Sequence, residues 1–143
     1  MRTGIWATAL VVAGMVGVLL MAPLAAAHAF RGDLTAPAGG NPFGSDTVGS
    51  YRIVVHGTRV VIRADVDLSP PAGYVLEGWL VDMQTGYKLS LGELRHGHLR
   101  FEQHMVNPWT YGILVITAEP AGDLDPNPAM PVAGALLPAP FGQ

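Results

Sequence analysis

Apolar and polar side chains alternate along residues 60–68, which read VVIRADVDL. Every second position of this stretch, beginning with Val60, is apolar, and the positions between them include Arg63, Asp65 and Asp67. A period of two residues predicts a β-strand with one buried face. The prolines that follow at positions 70 and 71 indicate the end of the strand, because proline cannot donate to a β-ladder.

Short apolar runs separated by turn residues continue to residue 137. They predict about seven strands, at residues 51–56, 60–68, 74–82, 88–94, 99–105, 111–118 and 132–137. The short loops between them favour antiparallel pairing. No apolar stripe of helical period follows residue 30, so we expect an all-β protein, an antiparallel immunoglobulin-like β-sandwich with almost no helix.

The composition changes on either side of residues 50–137, which we interpret as the β-sandwich domain. Residues 30–49 are rich in Gly and Pro and show little apolar periodicity, so they predict a flexible linker. Residues 138–143 are interpreted as a short tail. A chain of 143 residues is long enough for one such domain.

Residues 1–29 have the pattern of a secretory signal peptide. Arg2 supplies a positive charge, residues 5–21 are apolar and uncharged, and small residues permit cleavage after Ala29 or Ala27. The alternative is an anchor formed by residues 4–27 with the domain outside, because an apolar run of this length can span ~30 Å of hydrocarbon. Either pattern predicts a secreted or extracytoplasmic protein of the cell envelope.

Composition narrows the classes of partner. The chain has no Cys, which excludes disulfides and thiolate metal sites. Its 8 Lys and Arg and 11 Asp and Glu give a net charge of −3, and both signs are spread along the sequence. This pattern argues against a nucleic-acid partner.

Histidines are the candidates for a metal site. His96 and His98 would chelate copper or zinc if His104 supplied a third donor, although exposed turn residues are the simpler interpretation. His28 would become the amino terminus after cleavage at Ala27, and an amino-terminal imidazole with a free amine chelates Cu(II). The segment His28-Ala29-Phe30 is similar to the start of periplasmic copper carriers of the copper-resistance type. Copper or zinc binding is therefore the alternative function.

Carboxylates are the candidates for catalysis. Asp65 and Asp67 share the outer face of one strand, and Glu119 lies where an apolar run meets Pro120. The segment Asp123-Leu124-Asp125 lacks the Gly and closing Glu of an EF-hand. Because no convergent catalytic set is seen, we expect a non-enzymatic protein without a cofactor and keep a hydrolase as a third hypothesis.

Residues 73–94, GYVLEGWLVDMQTGYKLSLGEL, and residues 113–136, ILVITAEPAGDLDPNPAMPVAGAL, together resemble the extracytoplasmic C-terminal domain of anti-sigma-K-type factors. The matching elements are Tyr74, Trp79-Leu80-Val81, Leu91-Gly92, Ile116-Thr117, Glu119-Pro120-Ala121-Gly122 and Gly134. The resemblance covers roughly residues 58–137 and implies a sandwich module outside the membrane, for sensing or protein contact, with Glu119 at a structural strand exit.

Those factors carry a sigma-binding region ahead of their membrane span. Only Met1-Arg2-Thr3-Gly4 precedes the apolar run in this sequence, so we expect that region to be absent. The expected partner is then an unknown envelope or extracellular protein.

Overall fold

The computed structural model describes residues 26–143. These residues form eight strands and one short 3₁₀ helix, Pro108–Thr110. The strands are β1 (Ala27–Ala38), β2 (Asn41–His56), β3 (Arg59–Val66), β4 (Tyr74–Asp82), β5 (Lys88–Glu93), β6 (His98–His104), β7 (Tyr111–Pro120) and β8 (Met130–Leu136). No helix within residues 26–143 is long and apolar enough to cross a membrane. The predicted signal peptide or anchor lies outside the described residues except for its last few positions.

The described strands form one antiparallel sheet in the order β5-β4-β7-β8-β1-β2-β3-β6. Strands β8 and β1 are joined at a single register pair, Thr35 with Gly134, so the sheet has two halves with a narrow seam. The sheet curves around one core and brings its end strands β5 and β6 near each other. The all-β, antiparallel prediction is confirmed, but the strands belong to one nearly closed, barrel-like sheet and do not divide into two separately bonded sheets.

The core takes apolar side chains from both halves of the sheet. Its fully buried members include Leu34, Ile53, Ile62, Leu114 and Ile116. Alternate residues of β3 point into this core, as the period of two in its sequence predicts. Burial of these aliphatic side chains supplies the main driving force for folding.

Six of the predicted strands match β3 to β8 to within two residues at each end. The flexible linker predicted for residues 30–49 is wrong, because those residues form most of β1 and the first half of β2. Gly39 and Gly40 make a tight turn between the two strands, with φ angles of 56° and 85°. Two consecutive positive φ angles suit a two-residue hairpin turn.

The hairpin tip explains why this prediction failed. Alternation in sequence arises where one face of a strand is buried, but residues 36–47 are exposed or only half-buried. The register between β1 and β2 also shifts at three points after Leu34. The tail at residues 138–143 likewise returns to the protein: Phe141 is buried and its ring centroid lies 4.9 Å from that of Phe30.

Candidate functional site

A buried polar network lies where β7 ends. Thr117 is fully buried and Glu119 is 5% exposed, which is unusual for a carboxylate. The Trp79 indole N–H of β4 donates to Thr117 Oγ1 at 2.9 Å. The Thr117 hydroxyl in turn donates to Glu119 Oε1. A chain of hydrogen bonds therefore runs from β4 through β7 to the Glu119 carboxylate.

The Glu119 carboxylate also binds the chain just before β8. The backbone N–H of Ala129 donates to both carboxylate oxygens, at 2.9 and 3.1 Å. These bonds close the loop at residues 121–129, which leaves β7 after Pro120. The position agrees with the structural strand exit that the family resemblance implies. A general acid or base must reach its substrate, whereas the oxygens of Glu119 are occupied by Thr117 and Ala129.

A second acidic side chain shapes the turn between β4 and β5. Asp82 Oδ1 accepts the backbone N–H groups of Gln84 at 2.8 Å and Thr85 at 3.2 Å. The side chain of Thr85, followed by these two amides, holds the pKa of Asp82 below its usual range. The charged carboxylate therefore favours the folded hairpin.

We expect Asp82→Asn to lower the melting temperature at about pH 7 and to have a smaller effect in acid. A carboxyl whose pKa is lowered by folding stabilises the protein above its unfolded pKa, near 3.8. That contribution disappears as the pH falls through the lower folded pKa. Melting curves of both proteins between about pH 7 and about pH 2 test this prediction, and a difference that stays constant over this range would contradict it.

The structure does not gather the candidate metal ligands into one site among the residues described. His98 and His104 are at opposite ends of β6, and six residues of strand extend about 20 Å. His96 lies in the turn before β6 with a φ angle of 52°, and His28 stands edge-on to Trp109. No group of three potential His, Asp or Glu ligands is found in the part of the chain that the structure describes.

The candidate carboxylates are not brought together either. Asp65 lies on the exposed face of β3 beside His98, and Asp67 lies beyond the end of that strand. Glu119 is buried on β7 in the other half of the sheet. Asp123 and Asp125 accept backbone N–H groups within their own loop, at 2.9 and 3.0 Å.

An exposed row of arginines is the feature that the sequence did not predict. Arg31 of β1 is paired with Arg52 of β2, Arg52 with Arg63 of β3, and Arg63 with Arg100 of β6. All four side chains are exposed on the outer face of this half of the sheet. We call these four residues the arginine row. Their irregular spacing in sequence gives no local signal, since only the strand register aligns them.

The chain belongs to the family described as "Anti-sigma-K factor rskA, C-terminal", which matches residues 3–132. The match confirms the resemblance, and its range includes Trp79, Thr117 and Glu119. These three residues lie in β4 and β7, whereas Gly134, in β8 at the seam of the sheet, lies beyond the matched residues. Comparisons with curated proteins and with solved structures give no significant match.

Proposed function

We propose that this chain is an exported, non-enzymatic module that acts through contact with another protein of the cell envelope. Membership in the anti-sigma-K C-terminal family supports this function, and it is the observation that carries the proposal. The leader-like sequence of residues 1–29 supports export. The structural use of Glu119, the most buried carboxylate described, supports a role without catalysis.

Strand β6 is the surface that we propose for this contact. It ends the sheet, and its pairing with β3 keeps a regular register from His98 to His104. The backbone N–H and C=O of His98 bond to Arg95, whereas from Arg100 to His104 no strand of the described sheet pairs with the outer edge of β6. A partner strand can add to the backbone groups of this part of the edge. The other end strand, β5, is less suitable because a register shift interrupts its pairing with β4.

Single cysteines test both export and contact, because the chain has no Cys of its own. In Gln103→Cys the thiol is on β6, and in the control Gln84→Cys it is in the turn between β4 and β5; both positions are exposed. We expect a membrane-impermeant maleimide to label both variants in intact cells. A thiol-directed cross-linker should then join a discrete second protein to Gln103→Cys and leave Gln84→Cys without that product.

Two results would count against the proposal. Labelling of both variants only after cell lysis would contradict export. Identical cross-linked products from both positions would contradict a specific contact at β6.

A further inference from the structure

We propose that the arginine row binds an acidic segment of the partner protein, an inference that rests on the proposed contact function. The row crosses four neighbouring strands, so its members span about 14 Å at the usual strand spacing. Like charges placed directly opposite each other on a sheet repel. Four aligned guanidinium groups therefore destabilise this face unless anions lie beside them.

Carboxylates of the protein lie near the row, at Asp33, Asp65 and Glu102, but none forms an ion pair with one of its arginines. Two ion pairs are found among the residues described, Arg59 with Glu102 at 2.7 Å and His98 with Asp65, and neither includes a member of the arginine row. The chain as a whole carries a net charge of −3. Positive charge has thus been concentrated on one face of an acidic protein, where it is available to an external anion.

The neighbours of the row indicate the shape of that anion. Asp33 and Asp65 lie on one side of the row, one step along the same face. A planar anionic membrane would press its own charges against these carboxylates. A narrow chain laid along the arginine row avoids them, so the arrangement favours a linear ligand.

The other side of the row favours a polypeptide over a phosphate polymer. Val54 and Val61 are half-buried there, and they line a shallow hollow of about 260 Å³ together with three members of the row, Arg52, Arg63 and Arg100. The ion pair of Arg59 with Glu102 completes the lining, so the Glu102 charge is already neutralised. The carboxylates of glutamate side chains can pair with the guanidinium forks while the methylene groups of the same side chains cover the valines. A fully charged phosphate polymer has nothing to place on the valines.

Binding of fluorescein-labelled hexaglutamate to the full chain, followed by anisotropy, tests the inference. At about 20 mM salt we expect saturable binding that weakens strongly at about 200 mM. Arg63→Gln, at the centre of the row, should weaken binding about fivefold, and Arg52→Gln with Arg63→Gln should weaken it further. Lys88→Gln removes the same charge from β5 and should change the affinity by less than about twofold.

Two other probes separate the possible anions. Inorganic polyphosphate and phosphatidylglycerol vesicles should bind more weakly than hexaglutamate. Tighter binding of either one, or row variants that bind hexaglutamate as well as the original chain, would overturn the inference. Misfolding is excluded as the cause of weaker binding if the melting temperature of Arg63→Gln is unchanged or higher, which we expect because repulsion is removed.

The cysteine experiment distinguishes this inference from the proposed function. If Gln103→Cys captures a partner equally well with and without Arg63→Gln, the protein contact stands and the role of the arginine row is wrong. If no partner is captured but hexaglutamate binding depends on the row, the acidic-ligand site stands and the contact at β6 is wrong.

Discussion

Glu119→Ala is expected to lower the free energy of unfolding by about 3 kcal/mol. The substitution removes the acceptor for the Thr117 hydroxyl and for the backbone N–H of Ala129. Thr117 is fully buried, so its hydroxyl cannot turn to water and would keep only the long contact with the Glu77 carbonyl oxygen, at 3.4 Å. Losing the better acceptor of a buried donor costs about 1–3 kcal/mol, and bonds to a charged acceptor are stronger than average. Urea unfolding followed by circular dichroism measures the change.

Two further variants identify the hydrogen bonds as the cause. Glu119→Gln retains an acceptor for Ala129 and should give an intermediate loss of stability. Asp123→Ala removes a carboxylate that bonds only within its exposed loop, and it should cost less than about 0.5 kcal/mol. A similarly small effect of Glu119→Ala would contradict the structural role and reopen the catalytic interpretation of this carboxylate.

The strands of the core could be predicted because burial of one face leaves a period of two in the sequence. In β3, Val60, Ile62 and Ala64 are buried as the pattern requires. The β1–β2 hairpin could not be predicted in the same way, since its tip extends beyond the core and has no single buried face. The remaining signal was the Gly39-Gly40 turn, which could not be distinguished in the sequence from the other Gly and Pro residues of this segment.

The alternation of apolar and polar residues also cannot predict how the sheet closes. Alternation tells which side chains of a strand are buried, but not which strands become neighbours. The immunoglobulin-like prediction separated the strands into two bonded sheets, whereas Thr35 and Gly134 connect the two halves. The arginine row could not be predicted for the same reason. Arg31 and Arg100 are far apart in sequence and are aligned only by the register of β1, β2, β3 and β6.

The Trp79–Thr117–Glu119 network could be predicted from the sequence only in part. The family resemblance included Trp79 and placed Glu119 at a strand exit, and the structure shows Trp79 buried and Glu119 at the end of β7. The link between them required Thr117, which the sequence offered only as a match to the family. Its position opposite Glu77 and next to Trp79 in the register of β4 and β7 makes the connection possible.

Gly134→Ala is the second substitution for which we expect a large effect, a loss of about 2–3 kcal/mol in the free energy of unfolding. Gly134 pairs with Val115 of β7 and with Thr35 of β1, at the only point where β8 and β1 share register. A Cβ atom at this position would lie 2.8 Å from the carbonyl oxygen of Pro42 and 3.1 Å from that of Leu114. Backbone atoms on both sides would have to move apart. Urea unfolding measures the loss.

Gly32→Ala is the matched control, because Gly32 is also a strand glycine without a positive φ angle. Its added Cβ would meet the far end of the Tyr51 side chain at 2.9 Å, and a side chain can shift where backbone cannot. We therefore expect a smaller loss for Gly32→Ala than for Gly134→Ala. Equal losses in the free energy of unfolding would mean that crowding of any strand glycine has the same cost. The narrow seam between β8 and β1 would then have no special role in holding the two halves of the sheet together.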